Sequence, residues 1–534
     1  MSQENFEAGR IYPLTKTADF SGDAFYFFAA ISDYGRKRNC IFLESADVIR
    51  KYGEKSIGAT EPCLKVRGRK ELFEIIALNE LGERFLAFIK DDFGFADSVK
   101  CSKKIISGRL KPVRRIVSED ERLELKTHAD VLRAVAFKFK PTEKPFVPYA
   151  GLFGVISYDF IDQFEDLPAS RKDVLNEPDY ELNFYDNLFL FDHKRKTVTF
   201  VANILAMSNT AEFEQQHAEK MLEEFASGLK KPVPKMKKAV KRKLRLSTDT
   251  SKKEFVKIVK ELKVHILQGD VFQIVPSRTI AVEFSAEPLD VYKKLRNLNP
   301  SPYMFYFNNS AGILLGSSPE MFLKVEGNEA KKVEIRPIAG TKPRGFKDGI
   351  IDPDLDSRFE AELKLDEKEL AEHTMLIDLA RNDVARVSVP GTRHCDKPYL
   401  IEKYSHVQHL VSNVSGVMRN ELDALHAYLA SMNMGTLTGA PKVEAMKLLR
   451  LKEKTKRGFY GGSIGYLTPS GDFDSAIVIR SMSIKGGKAF VRAGAGIVFD
   501  SVPEKEFEET EGKARAAIMA LELASGGKSG EEND

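Results

Sequence analysis

The chain has 534 residues, 43% hydrophobic and 30% charged, a composition typical of globular proteins with a sizeable core. Its 82 basic and 78 acidic residues leave a net charge of only +4, so no global field favours nucleic acid or a membrane surface as partner. The four cysteines have neither paired nor metal-ligand spacing, as expected in a reducing cytoplasm. The first residues lack the basic start and apolar core of a signal peptide, and no apolar run could span a bilayer. We therefore expect a cytoplasmic protein.

Residues 1–229 alternate short apolar runs with turn residues, a pattern that predicts strands. The predicted strands are Phe25–Ile31, Ile41–Glu44, Phe85–Ile89, Gly151–Tyr158, Leu188–Phe191 and Val198–Val201. Helices are predicted near Ala46–Tyr52 and over Thr210–Phe225. We assign residues 1–229 to an N-terminal domain.

A basic segment separates this domain from the rest of the chain. Between Lys230 and Arg245 there are nine basic residues and no acidic one. An RNA-binding arm is the alternative, but the segment has no aromatic residue on which a base could stack. Like charges repel and two prolines favour an extended chain, so we predict an exposed linker over residues 230–250.

Residues 251–524 are predicted to form the second domain, and residues 525–534 a disordered tail without apolar anchors. The predicted helices are Ser251–Gln268, Leu370–Val387 and Phe507–Leu523, the last with Ser501 as N-cap and Pro503 in its first turn. The predicted strands are Phe272–Val275, Gly458–Leu467 and Ala476–Ser483, the last two joined by a Pro-Ser-Gly-Asp hairpin.

Two glutamate pairs suggest a metal site in this second domain. Glu369 and Glu372 are three residues apart, as are Glu506 and Glu509. Residues at this spacing project from one face of a helix, so each pair can present two carboxylates to one point. Four convergent carboxylates repel one another unless a hard cation such as Mg²⁺ binds them. The alternative is two solvated helix faces.

Several generic motifs do not fit their context. Residues 461–465 match the G-x-S-x-G nucleophile elbow, but they lie in a predicted strand that leads into a hairpin, so Ser463 is not expected to be a nucleophile. Residues 435–442 resemble a phosphate loop without its spacing or its Lys-Ser/Thr pair. Nucleotide binding is not supported.

A small acidic substrate fits the remaining pattern. Gly494 and Gly496 alternate along a predicted strand and leave one face bare, where a ligand can approach the backbone. Arg480 ends another strand, where a guanidinium could bind a carboxylate bidentately. Lys513 lies four residues after Glu509, on the same helical face. The alternatives are tight packing at the glycines and a simple surface ion pair at Lys513.

The region from Leu298 to Arg515 resembles the chorismate-utilising enzymes, and in particular their anthranilate synthase component I branch. The matching segments are Asn299–Met304, Gly316–Glu320, Arg336–Thr341, Glu369–His373, Asp378–Asp383, Val407–Val411, Gly435–Lys442, Gly458–Gly462, Ile477–Arg480 and Arg492–Gly496, with a weaker match at Leu43–Ser45. The resemblance implies an α/β fold of the α+β type, a four-layer α/β/β/α sandwich with two stacked, mostly antiparallel sheets flanked by helices.

Two positions distinguish related activities. Aminodeoxychorismate synthases usually have a nucleophilic lysine where this chain has Ala339, and isochorismate synthases a water-activating lysine where it has Gln273. Neither alanine nor a neutral amide can replace those lysines. The resemblance therefore implies amination of chorismate with ammonia to 2-amino-2-deoxyisochorismate, then pyruvate elimination to anthranilate. A 2-amino-2-deoxyisochorismate synthase, an aminodeoxychorismate synthase component and an inactive homologue remain the alternatives.

The resemblance also implies a role for each site residue. Glu320, His409 and Thr341 are the expected catalytic residues, with Glu320 as general acid and His409 as base. Mg²⁺ is the expected cofactor, bound by Glu372 and Glu509 with Glu369 and Glu506 in its outer shell. The expected substrate-binding residues are Thr436, Tyr460, Arg480, Gly494, Gly496 and Lys513.

The chain shows no glutaminase region, so the resemblance implies that a separate glutamine amidotransferase subunit supplies ammonia, in a heterotetramer of two of each subunit. It also implies feedback inhibition by tryptophan. The expected inhibitor-binding residues are Glu44, Ser45, Lys55, Pro302, Tyr303, Met304, Ile464 and Tyr466.

Overall fold

The computed structural model describes residues 6–45, 55–112, 121, 125–142, 149–169, 172–234, 244–404 and 407–527. The predicted helix near Ala46–Tyr52 and most of the predicted tail lie outside these ranges. Within them, two large sheets dominate, and all their neighbouring strands are antiparallel except one short parallel pair at an edge. No helix in the described ranges is long and apolar enough to cross a membrane.

The first sheet has 12 strands in the described part of the chain. In spatial order they are Arg245–Thr248, Ser277–Glu283, Lys488–Gly494, Ser481–Lys485, Gly312–Ser318, Tyr303–Asn309, Ile41–Glu44, Lys55–Ala59, Asn187–Asp192, Thr197–Ala206, Arg10–Asp19 and Lys140–Pro141.

The second sheet has 13 strands over the same described ranges. In spatial order they are Ile338–Pro343, Val407–Val417, Lys332–Ile335, Met321–Glu326, Phe473–Ile477, Ser463–Leu467, Gly151–Ile156, Tyr180–Tyr185, Leu64–Arg69, Leu72–Ala77, Ile105–Arg109 and Ser98–Cys101, with His394–Lys403 also paired to Val407–Val417. Two further short pairs join Gln273–Ile274 to Gly439–Ala440 and Phe346–Lys347 to Ile350–Ile351.

Helices cover the outer faces of both sheets. They are Ala24–Ile31, Glu80–Ile89, His128–Ala136, Glu212–Gly228, Lys252–Leu267, Pro288–Leu298, Pro353–Leu365, Glu367–Ala385, Ala424–Ser431, Gly435–Thr438, Lys442–Lys452 and Pro503–Ala524, with a 3-10 helix at Tyr158–Gln163. Below, Glu367–Ala385 is called the central helix and Pro503–Ala524 the C-terminal helix.

Side chains point alternately to the two faces of each strand, and this alternation separates the layers of the fold. In the strand Tyr303–Asn309, Phe305 and Phe307 pack between the two sheets, whereas Met304 and Tyr306 pack against the outer helices of the first sheet. A third cluster lies between the second sheet and its own helices. The fold is therefore the four-layer α/β/β/α sandwich expected from the resemblance, with two stacked antiparallel sheets.

Two predicted strands are wrong. Phe25–Ile31 lies in the helix Ala24–Ile31, because Asp23 caps its first turn by accepting from the backbone N–H of Phe25 at 3.0 Å. Phe85–Ile89 lies in the helix Glu80–Ile89, which Asn79 caps in the same way. Continuous apolar runs of this length have no periodicity that separates a strand from a buried helix.

Smaller differences concern the boundaries of elements near the glutamates. Residues 458–462 form turns and not the start of a strand, and Ala476–Ser483 spans the end of one strand and the start of the next. Val502, not Ser501, is the N-cap of the C-terminal helix, and Pro503 is in its first turn as predicted. Ser501 Oγ instead accepts from the backbone N–H of Val498 at 3.0 Å.

Both sheets draw strands from either side of residue 229. Tyr306 pairs with Phe42, for example. The boundary at residue 229 stays a prediction about domains, but it does not divide the sheets. Within the predicted linker, residues 235–243 lie outside the described ranges, and Arg245–Thr248 forms an exposed edge strand of the first sheet.

Candidate active site

The four predicted metal ligands lie on the central and C-terminal helices and influence one another electrostatically. Burial and the carboxylates of Glu369 and Glu509 raise the pKa of Glu372 to about 7. Burial and the Glu509 carboxylate also raise the pKa of Glu506. The two pairs, which are more than 130 residues apart in sequence, thus converge on one region.

Two of these carboxylates already have partners. Lys513 Nζ lies 2.6 Å from Glu509 Oε1 and donates to the carbonyl oxygen of Gly494 at 3.1 Å. Gln273 Nε2 donates to Glu372 Oε1 at 2.8 Å. The Lys513–Glu509 pair is the i,i+4 ion pair that the sequence left as an alternative. Here it also connects the glutamates to the glycine segment.

The donor set suits a hard cation. Among the described residues, no group of three or more His, Cys, Asp or Glu side chains is arranged to hold a metal ion. However, Glu506 Oε2 is buried without a hydrogen-bond partner, and the pKa values of Glu369, Glu372 and Glu506 are all raised. Repelling carboxylate oxygens of this kind are the ligands that Mg²⁺ prefers, so the residues fit that ion chemically.

The two glycines leave space beside the polar groups. The strand Lys488–Gly494 ends at Gly494, so Gly496 lies outside it, and the prediction that both glycines alternate along one strand is wrong for Gly496. A Cβ atom on Gly494 would lie 3.2 Å from the Tyr460 hydroxyl, and one on Gly496 would lie 2.8 Å from Gln273 Nε2. Side chains at these positions would crowd the polar groups they face.

Arg480 occupies the break between the strands Phe473–Ile477 and Ser481–Lys485. Its φ is +49°, in the left-handed region that a residue with a side chain rarely adopts. Such local strain is concentrated at functional sites. The guanidinium charge lowers the pKa of both Glu320 and His409, which places it near each of them.

Glu320 is the first candidate proton carrier. It is 5% exposed, and its Oε1 has no hydrogen-bond partner. Burial raises the pKa of Glu320 to about 8, even though the Thr436 side chain and the charges of Lys513 and Arg480 act in the opposite direction. The carboxyl group is therefore protonated at neutral pH and can act as an acid.

His409 is the second candidate proton carrier. Burial and the Arg480 charge lower the pKa of His409 to about 4, so the imidazole is neutral at pH 7. Its Nδ1 lies 2.9 Å from Thr341 Oγ1 and 3.3 Å from the carbonyl oxygen of Gly340. A carbonyl oxygen only accepts, so this contact favours the tautomer with hydrogen on Nδ1 and leaves Nε2 as the base.

Hydrogen bonds, close approaches and charge effects on pKa values together link the residues predicted for the catalytic, substrate and metal groups. Two neighbours were not predicted as site residues. Gln273 was recognised only as an amide that cannot act as a base, and its donation to Glu372 depends on a fold that periodicity does not give. Tyr404 packs its ring against His409 with centroids 5.3 Å apart, and no sequence signal marks it.

A cavity of about 810 Å³ lies between the two sheets, and its lining does not include the four predicted metal ligands. Its lining includes all the residues predicted to bind an inhibitor, namely Glu44, Ser45, Lys55, Pro302, Tyr303, Met304, Ile464 and Tyr466.

Glu44 is engaged within the protein at the edge of this cavity. It accepts from the Tyr292 hydroxyl at 2.6 Å and lies 3.1 Å from the Arg296 guanidinium. Burial raises the pKa of Glu44 to about 7, although Arg296 opposes the shift. A ligand amine would therefore have to share a carboxylate that Arg296 and Tyr292 already contact.

The chain is similar to known proteins over most of its length. A family model described as chorismate binding enzyme matches residues 93–519. Anthranilate synthase component 1 from Vibrio cholerae is 42% identical over 92% of this chain and 93% of its own length. The protein of the same name from Escherichia coli is 40% identical over 92% of this chain and 93% of its own.

A solved structure gives the same result. The crystal structure of anthranilate synthase component I from Streptococcus pneumoniae superposes with a TM-score of 0.68 at 29% identity, covering 87% of this chain and 92% of that one. The chain therefore belongs to the chorismate binding enzyme family, within its anthranilate synthase component 1 group.

Proposed function

We propose that the protein aminates chorismate with ammonia to 2-amino-2-deoxyisochorismate and then eliminates pyruvate to give anthranilate, the first committed step of tryptophan biosynthesis. The single observation that best supports this is the pair of proton carriers near Arg480. Glu320 is protonated at neutral pH and His409 is neutral, as an acid and a base must be before a reaction begins.

Amination needs an acid. Ammonia forms a bond to C2 of chorismate while the bond from C4 to its hydroxyl group breaks. Hydroxide is a poor leaving group, so Glu320 donates its proton and the hydroxyl leaves as water. The raised pKa of Glu320 keeps this proton available.

Elimination needs a base. Removal of the proton at C2 supplies electrons to the ring, the enolpyruvyl C–O bond breaks, and the ring becomes aromatic as pyruvate leaves. Nε2 of His409 takes this proton, because Nδ1 is directed at Thr341 and Gly340. Thr341 acts by orienting the imidazole.

The dianionic substrate is bound by local positive charge and bare backbone. Arg480 and Tyr460 hold the enolpyruvyl carboxylate, with the guanidinium supplying charge-assisted hydrogen bonds. The ring carboxylate lies among Thr436, Gly494, Gly496 and Lys513. The contact of Lys513 with Gly494 supports that grouping.

We further propose that Glu372 and Glu509 ligate Mg²⁺ directly, with Glu369 and Glu506 in its outer shell. When bound, the ion supplies charge neutralisation and positioning for the ring carboxylate. Glu506 contributes its buried, unpartnered oxygen to that shell.

We propose that ammonia comes from a separate glutamine amidotransferase subunit, in a heterotetramer of two of each subunit. The name component 1 carried by the relatives supports a second component. Tryptophan is the proposed feedback inhibitor, in the cavity between the sheets. The residues that line that cavity include the carboxylate of Glu44 and the apolar or aromatic side chains of Met304, Ile464, Tyr303 and Tyr466, which suit an amino acid with an indole side chain.

One incubation tests the reaction. The purified protein is mixed with chorismate, Mg²⁺ and ammonium, and the products are identified by mass spectrometry. Anthranilate and pyruvate in equal amounts are expected. Accumulation of 2-amino-2-deoxyisochorismate alone, formation of aminodeoxychorismate, or no turnover would each contradict the proposal.

A further inference from the structure

Tyr460 lies in a turn that the N-terminal half of the chain holds in place. The turn spans residues 458–462, between the helix Lys442–Lys452 and the strand Ser463–Leu467. The carbonyl oxygen of Gly458 accepts from Ser157 Oγ at 2.6 Å and from the backbone N–H of Tyr158 at 3.0 Å.

Two buried carboxylates bind the backbone N–H groups of the same turn. Asp159 Oδ2 accepts from the backbone N–H of Gly458 at 2.7 Å, and Glu177 Oε2 accepts from the backbone N–H of Phe459 at 2.7 Å. Gly458 has a φ of +61°, and a Cβ atom there would lie 2.0 Å from Glu177 Oε2. Only glycine allows this close approach.

Glu177 also reaches the segment that carries Arg480. Its other oxygen, Oε1, accepts from Ser483 Oγ at 2.7 Å, in the strand Ser481–Lys485 that begins directly after Arg480. One side chain, 4% exposed, therefore joins the residue before Tyr460 to a residue three positions after Arg480.

Nothing in the reaction itself uses Glu177. Its hydrogen bonds go to the Phe459 backbone and the Ser483 hydroxyl, and not to a proposed substrate-binding side chain. Burying an ionisable group is costly unless its hydrogen bonds are satisfied, and here both oxygens are. Two satisfied hydrogen bonds to the segments of Tyr460 and Arg480 suit a role in spacing those two side chains.

We propose that Glu177 is a positioning residue for chorismate, setting the distance between Tyr460 and Arg480 for the enolpyruvyl carboxylate. The inference rests on the proposed function of those two residues. It also gives the N-terminal half a part in building the substrate site, in addition to any regulation.

The test compares Glu177→Ala, Glu177→Gln and a matched control, Glu181→Ala. Glu181 is likewise buried and accepts from a backbone N–H and a serine hydroxyl, both of Ser310, and its Oε1 lies 3.6 Å from Lys65 Nζ, so its polar contacts are to Ser310 and Lys65 and not to the turn. Steady-state kinetics with ammonium are measured for each variant, together with the thermal midpoint. Wild-type product identity is read separately, so a failure of the proposed reaction is distinguishable from a failure of Glu177.

We expect Glu177→Ala to raise KM for chorismate about tenfold with kcat changed less, since the hydrogen bonds that Glu177 accepts from both segments are lost. The KM for ammonium should not move. Glu177→Gln keeps one acceptor for Phe459 and should restore KM to within about threefold of wild type. Glu181→Ala should lower the thermal midpoint with an unchanged KM.

A folded Glu177→Ala variant with wild-type KM would overturn the inference, as would an equal rise of KM in Glu181→Ala. If Glu177→Ala does not fold, Ser483→Ala removes one of the two contacts without emptying the site. A KM for chorismate raised at least about twofold then supports the inference, and an unchanged KM overturns it.

Discussion

At the scale of single residues, the same physical cause prepares an acid and a base. Glu320 and His409 are 5% and 7% exposed, and burial disfavours the charged form of each. For the carboxyl that form is the deprotonated one, and for the imidazole it is the protonated one. Burial therefore raises the pKa of Glu320 to about 8 and lowers that of His409 to about 4. Between these two pKa values Glu320 is protonated and His409 is neutral, so the acid and the base are both in their reactive forms.

The pH dependence of kcat/KM should reflect this interval. Because Glu320 must be protonated, we expect kcat/KM to fall as pH rises through about 8. Rates must be compared at a constant concentration of free ammonia, since ammonium itself titrates above this range. Glu320→Gln should lose about 100-fold or more in kcat and flatten the alkaline limb. A limb that persists in this variant would assign it to another group.

His409→Ala should separate the two chemical steps. Without the base, amination continues at a reduced rate while 2-amino-2-deoxyisochorismate accumulates, as measured by chromatography with mass detection. His128→Ala is the matched control, because burial also lowers the pKa of His128 to about 4 but its ring contacts Tyr180 and not the site. Prompt conversion to anthranilate by His409→Ala would remove His409 from this role.

At the scale of elements, local sequence patterns predicted amphipathic helices better than strands. The spacing of Leu370, Ile377 and Val384 predicts a helix over Leu370–Val387, and the structure has Glu367–Ala385. Phe25–Ile31 gave no such periodicity because nearly every face of its helix is buried. Helix geometry predicts that the two glutamates of each pair lie on one face. It does not predict that the central and C-terminal helices lie close together, because this depends on the tertiary fold.

Neutralising one glutamate should stabilise the metal-free protein. The raised pKa of Glu372, about 7, means that the folded state holds this proton longer than the unfolded chain. Stability is therefore lost as pH rises from about 4.3, the ordinary glutamate value, towards 7. At pH 8 we expect Glu372→Gln to raise the thermal midpoint without Mg²⁺ and to reduce the increase that Mg²⁺ causes in the wild type.

Glu508→Gln is the control for that experiment. Glu508 is exposed on the C-terminal helix and pairs with Lys252, outside the glutamate group. Its neutralisation should leave the Mg²⁺-dependent increase intact. If Glu372→Gln and Glu508→Gln shift the midpoint equally, the carboxylates do not act as a cation site.

At the scale of the whole molecule, the pairing of strands is what sequence could not supply. Phe42 pairs with Tyr306 and Leu152 with Leu467 across the boundary predicted at residue 229. Antiparallel pairing depends on which apolar faces can be buried together, and many such faces are alike. The sequence pattern alone singled out the four glutamates, Arg480, Lys513 and the two glycines. The other site residues were assigned through the family resemblance, which implies the fold as well.

The same long-range pairing explains how a ligand between the sheets could affect the reaction. Val411, Ser412 and Asn413 line the cavity, and they belong to the strand Val407–Val417 that carries His409. Glu402, also in the cavity lining, pairs directly across from His409. A ligand that shifts this wall would move the strand of the proposed base, so a link between the cavity and catalysis needs no contact with chorismate.

Tyr466→Ala should accordingly weaken inhibition by tryptophan. Tyr466 lines the cavity, and its ring is braced by Phe153 with centroids 5.2 Å apart. Loss of an aromatic contact of this kind corresponds to a rise of about three- to tenfold in the inhibition constant. Calorimetric titration with tryptophan should give the same change in affinity. Tyr26→Ala, at an exposed tyrosine outside the cavity lining, should leave both constants unchanged. An unchanged inhibition constant in Tyr466→Ala would contradict tryptophan binding against the wall that Tyr466 forms.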